Sequence, residues 1–144
     1  MDESYITRNK ETLDRMQRLL VQLNDEDYGR EIGHGWTVVA ALAHLAFWDR
    51  ITLTRLEEWE HSGKRPERLP DAVNDARLEQ WRAMPPQEAA REVVEAAEAV
   101  DRKISALAPE LREEILAEGY PRLLDRSLHR REHLEEIERV VPLG

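Results

Sequence analysis

An all-α fold follows from three features of the chain. Apolar residues recur at spacings of three and four almost throughout, alternating Val/Ile/Thr runs are missing, and proline- or glycine-containing breaks separate segments of helical length. At 144 residues the chain fits one domain and is long enough to bury a core without disulfide staples. The pattern predicts four long helices, with a long connection containing a short helix between the second and third.

The first helix is expected over about Ser4 to Leu23, with Ile6, Leu13, Met16, Leu20 and Leu23 on its buried stripe, and the polar stretch from Asn24 to Gly35 ends it. The second begins at Thr37, whose hydroxyl can accept a hydrogen bond from a free N–H of the first turn. It continues to about Glu60, with Val38, Leu42, Leu45, Leu56 and Trp59 on its apolar side. His61 to Pro70 reads as loop, and Asp71 to Met84 as a shorter helix stopped by Pro85 and Pro86. The third long helix, about Gln87 to Leu107, lines up Ala90, Val93, Ala97, Val100, Ile104 and Leu107 on a seam whose alanines admit a close neighbour. Pro109 to Glu118 adds a short helix, Gly119-Tyr120-Pro121 is a break, and the fourth long helix runs from about Arg122 to Val141. The long link means that the second and third long helices need not be adjacent antiparallel partners.

Charge and composition then exclude several kinds of function. A net charge of −9 repels nucleic-acid phosphates and anionic membrane surfaces. Cysteine is absent, so disulfides, thiolate metal sites and cysteine nucleophiles are ruled out, and any thiol chemistry needs an external thiol. The longest nearly unbroken apolar run, Val38 to Trp48, contains His44 and falls well short of the roughly 20 residues that span a bilayer. The acidic start, Met1-Asp2-Glu3-Ser4, lacks the cationic opening of a secretion signal. A cytoplasmic protein with no nucleic-acid or membrane partner is expected.

The histidines carry the chemistry. His129 and His133 stand one helical turn apart on one face, a spacing that suits zinc and similar divalent ions. The same face continues through Ile137 and Val140, which should be inside. His44 lies in Ala41-Leu42-Ala43-His44-Leu45-Ala46-Phe47-Trp48, where a buried imidazole needs partners for its nitrogens. A lone histidine in such a place is usually satisfied within the core. Two further imidazoles on the fourth helix offer a shared metal site of the kind that bundles build from facing helices. Three neutral imidazoles leave a tetrahedral ion one open position, the pattern of a catalytic site.

Around these ligands, Trp48 is expected to line the pocket, while Trp36, Trp59 and Trp81 read as packing residues or helix-end anchors. Helical spacing aims Asp49 and Glu132 away from the ligand face, so both read as exposed salt-bridging carboxylates. Arg126 and Arg130, an i,i+4 pair, read either as an attractor for an anionic substrate or as partners in ion pairs.

Gly35-Trp36-Thr37 opening a helix, Ala43-His44-Leu45 within it, and the C-terminal His129-x-x-x-His133 together resemble the DinB-like (YfiT-like) family of metalloenzymes, over nearly the whole chain. The resemblance implies an up-down-down-up four-helix bundle, a homodimer, and one divalent ion, zinc or nickel, on one histidine from the second helix and two from the fourth. His44, His129 and His133 occupy those positions. It also implies a metal-dependent enzyme of the thiol-dependent S-transferase or hydrolase type, acting on a small-molecule substrate with a low-molecular-weight thiol as cosubstrate. The alternative is a non-catalytic helical-bundle dimer that acts as a binding module. No catalytic residue beyond the metal set stands out.

Overall fold

The computed structural model describes residues 2–142. Within them lie six α-helices: α1 (Ser4–Gln22), α2 (Val38–Ser62), α3 (Ala72–Arg82), α4 (Pro86–Ala106), α5 (Pro109–Ala117) and α6 (Ser127–Val140). None of these helices is long and apolar enough to cross a membrane.

The stretch before α2 is not the plain polar connection that its composition predicts. Glu31–Gly33 (β1) and Trp36–Thr37 (β2) pair antiparallel as a small hairpin. Its turn needs backbone that most residues avoid: Gly33, His34 and Gly35 have φ of 119°, 54° and 81°. The hairpin runs straight into α2, where Thr37 Oγ1 accepts a hydrogen bond from the Ala40 N–H at 3.3 Å. Trp36 is thereby fixed just ahead of the helix that carries His44.

The core forms where α2 lies against α4. Leu42 and Leu45 pack with Ala89, Val93 and Ala96 in one cluster, and Leu56 and Trp59 with Val100, Ile104 and Leu107 in another. Small residues on α4 let the two backbones approach. Positions ascend together along the pair, since Arg50 bonds Glu92 at 3.0 Å and Lys103 bonds Glu60 further on. On the other side, α1 meets α6 in the same sense, through Arg8 with Asp125 at 2.9 Å and then Arg15 with Glu138. Between α2 and α6 the sense is reversed, with His44 beside His129 and Asp49 beside Arg126.

Two local expectations are corrected. The buried face of α1 is Tyr5, Asn9, Thr12, Met16 and Leu19, whereas Ile6, Leu13, Leu20 and Leu23 are only half-buried. Polar Asn9 is inside because it serves backbone groups: its Nδ2 donates to the Leu124 carbonyl at 2.8 Å, and its Oδ1 accepts from the Arg126 and Ser127 N–H groups at 2.8 and 3.0 Å. The last long helix also starts later than expected, at Ser127. The segment before it holds a 3₁₀ turn, Pro121–Leu123, and Asp125 Oδ1 accepts from the Ser127 N–H at 3.1 Å. Those two acceptors serve the Arg126 and Ser127 N–H groups where α6 begins.

Candidate metal centre

His44 sits in the first half of α2, and His129 and His133 sit on consecutive turns of α6, so the reversed packing of the two helices brings the three rings together. Their centroids are 4.8 Å apart for His44 and His129, 4.7 Å for His44 and His133, and 5.0 Å for His129 and His133. One nitrogen from each ring lies within 4.8 Å of the other two, and the Nε2 atoms of His44 and His129 are 2.8 Å apart. Metal–nitrogen bonds of 2.0–2.1 Å place two ligands of a tetrahedral ion about 3.3 Å apart, inside that range. The three imidazoles are close enough to share one ion.

Burial keeps two of these rings, His44 and His129, neutral. The pKa of His44 is pushed down to about 3, first by burial and then by the charge of His133. Burial also holds His129 well below the ordinary 6.5, with Arg126 adding to it. Both rings therefore keep a lone pair free at neutral pH, which is the state a metal requires. The Nδ1 of His44 is buried with no hydrogen-bond partner among the described residues. His133 is steadied from behind, its Nδ1–H donating to Glu136 Oε1 at 2.6 Å, which leaves Nε2 for the cluster. Glu136 is a residue that sequence reasoning missed; its position three residues after His133 on a helix was the available signal.

Aromatic walls surround the cluster. The ring of Trp36 meets His44 edge-on at 5.0 Å and stacks over His133 at 6.4 Å, and Trp81 from α3 stands 5.3 Å from His44. Trp36 and Trp81 do pack, as expected, and their packing runs from Ala40, Ala43 and Phe47 onto the imidazole of His44. Trp59 instead belongs to the core between α2 and α4. His34 stays in the hairpin turn, exposed. Glu132 is exposed and pairs with Arg122 at 3.4 Å.

Asp49 is not the exposed carboxylate that its spacing predicts. It is 1% exposed and lies between two guanidinium groups, Arg126 at 2.9 Å and Arg130 at 3.2 Å. Arg130 is fully buried and also binds Asp101 at 2.8 Å and the Asn9 carbonyl at 3.0 Å. A buried, fully paired guanidinium cannot attract a substrate, so for Arg130 the ion-pair reading is the right one. This network ties α1, α2, α4 and α6 together one turn away from the histidines.

A cavity of 540 Å³ opens beside the cluster, and His44, His129, Trp48, Thr52, Arg55 and Arg126 are among its lining residues. Trp48 lines it as its position after His44 predicts, and its Nε1–H donates to Asn74 Oδ1 at 2.7 Å. The site therefore combines neutral nitrogen donors, an aromatic wall and a space large enough for a small molecule.

No curated protein matches the chain. Among solved structures, the fold is similar to a mycothiol-dependent maleylpyruvate isomerase, with a TM-score of 0.63 and 17% identity, covering 75% of this chain and 45% of that one. It is equally similar to a histidine-to-alanine mutant of that enzyme, with a TM-score of 0.62, 16% identity and the same coverage of 75% and 45%. The chain thus spans less than half the length of those structures, and the likeness is one of fold. The sequence model of the DinB superfamily matches residues 8–137, a stretch that starts in α1, ends in α6 and includes all three histidines, and the chain therefore belongs to that superfamily.

Proposed function

We propose that His44, His129 and His133 bind one divalent metal ion, zinc or nickel, and that the chain is a metal-dependent enzyme acting on a small molecule. The observation that carries this reading is the convergence of three imidazole nitrogens within 4.8 Å of one another at the wall of a cavity. An ion held there supplies a Lewis acid at neutral pH, able to acidify a water molecule or a thiol. The chain's own residues provide the rest. Glu136 holds the His133 ring in place, Trp36 and Trp81 keep bulk water from the far side of the ligands, and Arg126, anchored by Asp49, keeps a fixed positive charge near His129.

Within that reading the reaction is of the thiol-dependent S-transferase or hydrolase type, with a low-molecular-weight thiol as cosubstrate. The thiol is supported by the structures the chain is similar to, which are those of a mycothiol-dependent enzyme. The same reading takes α1, α2, α4 and α6 as an up-down-down-up four-helix bundle, with α3 in the link between the two parallel central helices. Its support is the ascending register of Arg50 with Glu92 and Glu60 with Lys103, and of Arg8 with Asp125 and Arg15 with Glu138.

Elemental analysis of protein purified without a metal-affinity tag tests the metal, with His129→Ala as the control. The expected result is about one ion per chain in the wild type and a loss of it in the variant. Equal metal content in the two samples overturns the assignment.

A further inference from the structure

The cavity continues from the histidines toward a group of guanidinium side chains that the metal reading does not use. Along α2, His44, Trp48, Thr52 and Arg55 follow one another at spacings of four, four and three, and all four line the cavity. At 1.5 Å per residue, the Cα atoms of His44 and Arg55 are about 16 Å apart along the helix axis. Side chains on a helix lean toward its N-terminus, so Arg55 reaches back along the cavity toward His44. Arg68, Arg122 and Arg126 complete the cationic end.

Three of these four cations already have carboxylate partners. Arg68 binds Asp71 at 3.2 Å, Arg122 binds Glu132 at 3.4 Å, and Arg126 binds the buried Asp49 at 2.9 Å. Arg55 forms no ion pair among the described residues, and its Nε is buried with no hydrogen-bond partner there. Among the described residues, no other arginine or lysine has a buried nitrogen without a hydrogen-bond partner. Arg55 is half-buried, and its Nε–H, cut off from water with no acceptor in exchange, is a costly donor to leave unmade. Burial, followed by the repulsion of Arg68 and Arg126, pulls the Arg55 pKa below its ordinary value, so an anion arriving there relieves both.

We propose that Arg55 is the anchor of an anion subsite that takes the carboxylate of a small organic molecule whose other end lies at the histidines. The guanidinium fork matches a carboxylate in bidentate geometry, and one unpaired guanidinium balances one negative charge. A phosphate dianion would need a second cation, which Arg68, Arg122 or Arg126 could supply only by leaving its own carboxylate. Trp48, Tyr120 and Leu123 give the cavity an apolar surface for the body of the ligand. That the occupant is the reactant rests on the enzyme reading above; that the subsite binds a carboxylate does not.

The test uses benzoate as the probe and benzamide as its neutral counterpart, added to the protein as purified. The readout is the Trp48 indole N–H resonance in ¹⁵N-labelled protein, identified among the four tryptophans by its loss in Trp48→Phe. Benzoate should shift it saturably, benzamide should not, and Arg55→Gln should weaken benzoate binding at least tenfold while Arg50→Gln, which removes an arginine of the same helix outside the cavity, leaves it within about threefold. Arg55→Gln binding benzoate as the wild type does, or benzamide binding as well as benzoate, overturns the proposal. So does loss of binding in His129→Ala with retention in Arg55→Gln, which would put the anion on the histidines. Should Arg55→Gln not fold, Arg55→Lys replaces it; loss of the fork should then weaken binding severalfold, and unchanged binding overturns the proposal. Metal content and the Trp48 resonance are read separately, so failure of the metal assignment and failure of the subsite give different results.

Discussion

His133 is held by Glu136, and a ligand held from behind binds a metal more tightly than one that must be ordered on binding. Glu136→Ala is therefore expected to lower zinc affinity 10–100-fold with the fold intact, as read by competition against a chromophoric chelator. An unchanged affinity would mean that the walls of Trp36 and His44 suffice to orient the ring. Asp49 calls for a different measurement, because it faces Arg126 and Arg130 with almost no exposure. Removing it in Asp49→Ala leaves buried positive charge short of a partner, and a loss of about 3 kcal/mol is expected in urea unfolding. A loss below about 1 kcal/mol would show that Asp101 alone can neutralise the pair. These residues also mark what the sequence could show. His129 and His133 were legible because their spacing is local, and His44 because an imidazole stands out among apolar neighbours; that the three form one set came from the expected bundle and the family resemblance. Asp49 was misread because the face opposite a ligand stripe looks like solvent until another helix is known to cover it, and both arginines that cover it come from more than seventy residues away.

At the scale of elements, the long helices were legible wherever their partners are apolar. The stripes of α2 and α4 read directly from spacing, since each buries aliphatic side chains against the other. The head of α6 was not legible, because the groups that satisfy it come from Asn9 on α1 and from the Asp125 side chain. Asp125 makes that head sensitive to acid. Burial works to raise its pKa, but the hydrogen bonds from Ser127 and the charge of Arg8 outweigh it and hold the carboxyl below the ordinary 3.8. A carboxyl with a lowered folded-state pKa stabilises fully above its unfolded value, and that contribution disappears as pH falls through the folded value. The stability difference between the wild type and Asp125→Ala, expected at about 1–2 kcal/mol near neutrality, should be flat from about pH 7 to 5 and shrink below about pH 4. Urea unfolding of both proteins across that range checks it, and a difference that grows on acidification would remove Asp125 as a support of that head.

For the whole molecule, the candidate site doubles as a joint between helices. His44 belongs to α2 and the other two ligands to α6, and the same pair of helices is crossed by Asp49 with Arg126 and Arg130 one turn away. An ion bound to the three histidines would stabilise the folded chain only, because the unfolded chain separates His44 from His129 by 85 positions. Mass action then sets the size of the effect. At free zinc one hundred times the dissociation constant the gain is about 2.7 kcal/mol, which for a chain of this length corresponds to about 5–10 °C in Tm. The wild type should therefore melt higher with zinc than with chelator, whereas His129→Ala should melt at one temperature in both. The net charge of −9 also concentrates divalent cations loosely around the protein, and that diffuse effect would survive the substitution. A zinc-dependent rise of the same size in wild type and His129→Ala would thus assign the stabilisation to the field of the molecule and take it away from the histidines.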